Sequence, residues 1–129
     1  MTHELFTLIA TSLLTLVLPL IYGQLYSRQV GQAVILSNRE NAPEPTGAAG
    51  RGLRAHRNLL ENLPPFAALI LTAHVMGVSN FYTVAAAYIF LAARLTHATT
   101  YLLGITGIRT AAYLAGTLAM FTIALQLFI

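Results

Sequence analysis

LFTLIATSLLTLVLPLIYGQLYS, residues 5–27, contains no charged side chain. About 20 apolar residues in helical form cross the hydrocarbon of a bilayer, so this stretch is long enough to do so. Residues 110–129 are likewise free of charge and nearly as long. Between them, residues 62–103 are mostly apolar but are interrupted at Gly77-Val78-Ser79-Asn80. That interruption has turn chemistry and divides the region into a hairpin of two spans. Gly104 and Gly107 flank a second short break. The pattern predicts helices over residues 4–26, 53–77, 81–103 and 108–128. The expected fold is therefore all-α, an integral membrane four-helix bundle forming a single domain over residues 1–129.

Composition supports the same class. Of 129 residues, 57% are hydrophobic and 9% charged, whereas a soluble domain carries about a quarter charged. Every basic residue is arginine, and the net charge of +3 is too small and too scattered for nucleic acid. No basic stripe is interleaved with aromatics. Cysteine is absent, which excludes disulfides, thiolate metal sites and a protein-borne thiol nucleophile. Any thiol chemistry must come from a bound molecule. The start, Met1-Thr2-His3-Glu4, lacks a positive n-region and no small-x-small cleavage site follows, so the first helix is expected to be retained.

Orientation follows from arginine placement. Arg28, Arg39, Arg51, Arg54 and Arg57 lie in or beside the first loop, and Arg109 lies next to the third. The second loop, around Ser79, has none. The positive-inside rule then predicts loops one and three in the cytoplasm and both termini outside. Loop 27–52, punctuated by Asn41-Ala42-Pro43-Glu44-Pro45-Thr46-Gly47, reads as a mobile connector.

Charged groups inside membrane helices are costly and are functional candidates by default. On the second helix Arg54, Asn58 and Glu61 stand at i, i+4 and i+7 and share a face, with Arg57 at its edge. On the third, Arg94, His97 and Tyr101 stand at i, i+3 and i+7. The fourth begins with Arg109, with Tyr113 one turn further in. With the predicted topology, all three faces lie in the cytoplasmic half, Glu61 and Arg94 on the order of 10–14 Å deep. A structural reading stands beside this one: Arg54 or Arg57 as an ion-pair partner of Glu61, and Arg28 and Arg51 snorkelling to headgroups. His74, at the far end of the second helix, reads as a local hydrogen-bonding group. His56, His74 and His97 lack ligand spacing on one helix face, so no metal site is expected. Pro64-Pro65 is expected to bend the second helix.

Arginines pair carboxylates in bidentate fashion. Glu61 and Asn58 suit an ammonium or amide, and Tyr101, Tyr113 and Thr110 supply hydroxyls. The ligand inferred is small, water-soluble and polyanionic, with one amine. The apolar lipid-facing walls suit a second, hydrophobic reactant.

Three segments resemble those of a known family. Arg54-Ala55-His56-Arg57-Asn58-Leu59-Leu60-Glu61-Asn62 with Pro64-Pro65-Phe66 resembles the second-helix signature of the MAPEG family, the membrane-associated proteins in eicosanoid and glutathione metabolism. Arg94-Leu95-Thr96-His97-Ala98-Thr99-Thr100-Tyr101-Leu102 is similar to its third-helix motif, and Arg109-Thr110-Ala111-Ala112-Tyr113 to the start of its fourth. The resemblance implies a homotrimer with glutathione, as co-substrate, bound between neighbours. It implies that Arg54, His56, Asn58 and Glu61 grip the peptide, assisted by Arg57, and that Arg94, His97, Tyr101 and Tyr113 belong to the same cleft. Arg109 would hold the sulfur as thiolate, with Thr110 where the family often has serine. Arg28 or Arg39 would stand for the family's first-loop arginine. The activity implied is that of a glutathione-dependent transferase or peroxidase acting on hydrophobic electrophiles or lipid hydroperoxides. The alternatives are a non-catalytic glutathione- or lipid-binding membrane protein and a small transporter. The chain lacks the paired discontinuous spans typical of transporters.

Overall fold

The computed structural model describes all 129 residues and contains helices only: α1 (His3–Val30), α2 (Gln32–Ile35), α3 (Gly47–Met76), α4 (Phe81–Leu103) and α5 (Thr106–Gln126). Four are long and α2 is a single turn. The neighbouring pairs α1–α3 and α4–α5 make the broadest contacts, and α4 joins them by packing on both α1 and α3.

The α3–α4 turn and the end of α4 have local causes. At the α3–α4 turn, Gly77 takes φ 70°, a left-handed conformation open to glycine without steric cost. Gly77 N–H then donates to His74 O and Val78 N–H to Ala73 O, the paired bonds of a Schellman stop. Gly104 (φ 79°) ends α4 in the same way, with Ile105 N–H on Thr100 O. Asn80 starts α4 through a capping box: its side chain accepts from the Tyr82 and Thr83 amides, and Thr83 Oγ1 accepts from the Asn80 amide. The Asn80, Tyr82 and Thr83 amides at the start of α4 are thereby satisfied.

The expected loop 27–52 is shorter and more ordered than its composition suggests. α1 runs four residues further than expected and α3 starts six residues earlier. The connection is fastened to α1: Tyr26 OH donates to Pro43 O, Gln29 Nε2 to Glu44 O, and the Thr46 amide to Gln29 Oε1. Pro64 and Pro65 lie within α3, which continues through them.

Inside and outside are inverted relative to a protein that folds in water. The inward stripe of α1 is Glu4, Thr7, Thr11, Thr15 and Leu18. Thr7 and Thr11 return their hydroxyl protons to Glu4 O and Thr7 O, one turn back along the helix. Leu13, Leu16, Leu20, Leu118 and Phe121 point outward and are more than half exposed. A surface of that kind needs lipid to cover it. Small residues let the helices approach closely: Ala86, Ala87 and Ala93 are buried on α4, Ala112, Gly116 and Ala119 on α5. Phe66 of α3 stacks on Phe90 of α4 at a centroid separation of 3.8 Å, in a core completed by Ile70 and Ile123.

Three helices, α1, α3 and α5, are long and apolar enough to cross a membrane by length and composition. Four spans are expected from the sequence, so α4 is the exception. It is 23 residues long, and the cause is its own polar content: Arg94, His97 and Thr100 are buried against the other helices rather than facing outward. The chain is an integral membrane protein in which α4 turns its one arginine and its histidine inward.

Candidate functional site

Arg94 is the centre of the polar interior. Its side chain is 1% exposed, and it donates from Nη1 to Asn58 Oδ1 of α3 (3.2 Å) and from Nη2 to the Tyr113 carbonyl of α5 (3.3 Å). The guanidinium carbon lies 4.9 Å from the Phe90 ring centroid and 5.7 Å from that of Tyr113. Arg94 Nε is buried without a partner. Cation–π contacts contribute about 0.5–2 kcal/mol each, which offsets part of the cost of burying a charge.

A chain of aromatic contacts leads from Arg94 towards the α3 start and the α4–α5 turn. His97, 5% exposed, meets Tyr101 edge-on at 5.4 Å and Tyr113 at 6.5 Å. Tyr101 in turn contacts two guanidinium groups, Arg109 at 4.6 Å and Arg54 at 5.9 Å from its ring centroid. Residues from α3, α4 and α5 thus form one continuous cluster: Arg54, Asn58, Arg94, His97, Tyr101, Arg109 and Tyr113. It holds three positive charges. Of the four acidic residues in the chain, Glu61 alone lies on the helix face that supplies Arg54 and Asn58, and it is exposed. An uncompensated group of guanidiniums is an anion site in electrostatic terms.

The MAPEG family matches residues 5–129, essentially the whole chain. The chain belongs to the MAPEG family. That membership puts it among membrane proteins of eicosanoid and glutathione metabolism. No curated protein sequence matches it individually.

Not every residue of the MAPEG-like motifs joins the cluster. His56 is half-buried with its ring against Tyr22 of α1, at 5.7 Å. Arg57 and Glu61 are exposed on α3. The ion pair considered between Glu61 and Arg54 or Arg57 is replaced by a different one-to-one contact on this face, Asn58 with Arg94. Thr110 is exposed and donates its hydroxyl to Thr106 O of its own helix, at 3.3 Å. Arg28 is exposed, and Arg39 donates from Nε and Nη2 to Ile35 O, which ties it to its own loop. Arg51 does not snorkel: its Nε donates to Leu102 O at 3.0 Å, a cation on the C-terminal carbonyls of α4. One edge of the cluster is open, since Arg54 and Tyr113 are exposed, as are Arg57 and Glu61 beside it.

Two members of the site are absent from the sequence reading. Phe90 forms one wall for the Arg94 guanidinium, and Gly116 forms another. A Cβ at Gly116 would run into Arg94 Nη2, with Cζ and Nε at 2.9 Å. Helical spacing is the signal that finds both. Phe90 precedes Arg94 by one turn, and Gly116 shares the face of Arg109 and Tyr113 at i+7 and i+3.

Proposed function

We propose that this MAPEG protein is a glutathione-dependent transferase or peroxidase for hydrophobic electrophiles or lipid hydroperoxides, and that its four long helices form one subunit of a homotrimeric bundle. The observation that carries the reading is the pair of guanidiniums, Arg54 and Arg109, that both lie close to the Tyr101 ring, at 5.9 and 4.6 Å from its centroid. A polyanionic peptide matches such a group, with Glu61 available to its amine. Exposed Arg54, Arg57, Glu61 and Tyr113 support a cleft that a neighbouring subunit completes. In this reading the arginine end faces the cytoplasm and both termini lie outside.

Arg109 is assigned the thiolate. A free thiol has a pKa near 8.5, and an adjacent cation lowers it, each unit corresponding to about 1.4 kcal/mol. In conjugation the sulfur anion forms a C–S bond as the leaving group departs with the electron pair of the bond it breaks. In peroxide reduction the sulfur takes the terminal oxygen and the O–O bond breaks. The alkoxide then takes a proton, and a second glutathione converts the sulfenic acid to disulfide and water. An apolar groove between α4 and α5, of about 390 Å³, has Ile108 in its lining, one residue from Arg109, together with Ile89 and Ala115. It supports entry of the second reactant from the lipid.

The test is the ultraviolet absorbance of the bound thiolate. Arg109→Ala is expected to keep glutathione binding, lose that absorbance and slow turnover of an aryl halide by roughly tenfold or more, which is about 1.4 kcal/mol per factor of ten. Equal absorbance in variant and parent removes the role given to Arg109. Glutathione binding by the parent without turnover of aryl halide or hydroperoxide makes the protein a binding protein instead.

A further inference from the structure

A second polar site lies at the other end of the helices. From Arg54 to His74 α3 advances 20 residues, about 30 Å, so the two sites are separated by roughly a bilayer's hydrocarbon thickness. Glu4 of α1 is there, 4% exposed. Its Oε1 accepts from Thr83 Oγ1 at 2.7 Å and from Ser79 Oγ at 2.9 Å. Its Oε2 is buried and has no partner. Beside it is a cavity of about 230 Å³ lined by Thr2, Glu4, Ile70, Ala73, His74, Gly77, Val78 and Ser79.

The walls name the chemistry. None of these residues is lysine or arginine, and His3, the neighbouring ring in sequence, is hydrogen-bonded to Tyr88. The polar residues in its lining are Glu4, His74, Thr2 and Ser79. The C-terminal end of α3, with its partial negative charge, closes one side. Acceptors and negative potential surround a space large enough for several non-hydrogen atoms, with apolar walls at Ile70, Ala73 and Val78. A buried carboxylate half satisfied in this way is costly unless a cationic donor completes it.

We propose that Glu4 and this cavity bind a primary ammonium group, with Glu4 Oε2 accepting one of its N–H bonds. The α3–α4 turn is where a helical hairpin meets the membrane surface, so a phosphatidylethanolamine headgroup and a free amine both present this chemistry. The site is independent of the thiol reading. Its test uses the full chain in nanodiscs of phosphatidylethanolamine and phosphatidylcholine in equal parts, followed by native mass spectrometry. In a second arm, ethanolamine or choline is added to protein in phosphatidylcholine alone and thermal unfolding is followed. Retention of phosphatidylethanolamine over phosphatidylcholine by about tenfold, or about 1.4 kcal/mol, assigns the site to the lipid. A shift with ethanolamine but not choline, without that retention, assigns it to a soluble amine. Glu4→Gln keeps an oxygen for Thr83 and Ser79 but presents N–H groups where Oε2 was, and it is expected to abolish either effect. Survival of the effect in Glu4→Gln, or no discrimination by the parent in both arms, overturns the proposal. Should the variant not fold, the comparison of ethanolamine with choline on the parent still decides it.

Discussion

At Arg94 a full charge is held by two oxygen acceptors and two aromatic faces, with no carboxylate. Such a cation depends on the shape of its container. Gly116 is part of that shape, because a methyl group there overlaps the guanidinium. Arg94 is a long side chain, but at 1% exposure it has no room to swing aside. Gly116→Ala is therefore expected to destabilise the protein by about 1–3 kcal/mol, the usual cost of overpacking. The effect is read as a lower unfolding temperature in detergent, with Ala119→Gly, on the same helix, as a control for helix propensity. Unchanged unfolding in Gly116→Ala would show that Arg94 relaxes without loss. The helical spacing of Arg94, His97 and Tyr101 in the sequence already groups them. That Arg94 bonds Asn58 rather than Glu61 was not legible, because a choice between two partners one turn apart is made by interhelical rotation.

Among the elements, α4 is the one whose placement matters most. Its first turn is held by Asn80, which satisfies the Tyr82 and Thr83 amides and also donates from Nδ2 to Gln126 Oε1 of α5. Asn80→Ala removes the cap and should cost about 0.5–2 kcal/mol. Asn80→Asp keeps the capping oxygen and should recover most of that loss. The comparison of unfolding midpoints checks it, and equal loss in both variants would assign the effect to the Gln126 contact. Gly77 and Asn80 are readable in sequence because turn and cap chemistry is local. The extra length of α1 and α3 is not. It depends on contacts made across the connection, such as Tyr26 OH on Pro43 O, for which the composition of a Pro- and Gly-rich segment offers no cue.

For the whole molecule, the open arginine flank and the outward hydrophobic surface raise the question of what covers each. Lipid suffices for Leu16 and Leu118. It does not suffice for Arg57 and Glu61, exposed on the same helix as Arg54, because charge facing hydrocarbon is expensive. In the proposed trimer a neighbouring copy would cover them, which predicts a detergent-solubilised particle containing three chains. Light scattering corrected for bound detergent measures it. A monomer that still binds glutathione would overturn the completion of the cleft by a neighbour. The turn at residues 77–80 and the hydrophobic class follow from the sequence by itself, because turn chemistry and composition are local properties of the chain. Only tertiary packing decided that Tyr101 meets both Arg54 and Arg109, that α1 turns its threonines inward, and that Glu4 is buried with one oxygen free. Each of those depends on how helices distant in sequence rotate about their axes to bring small residues into contact.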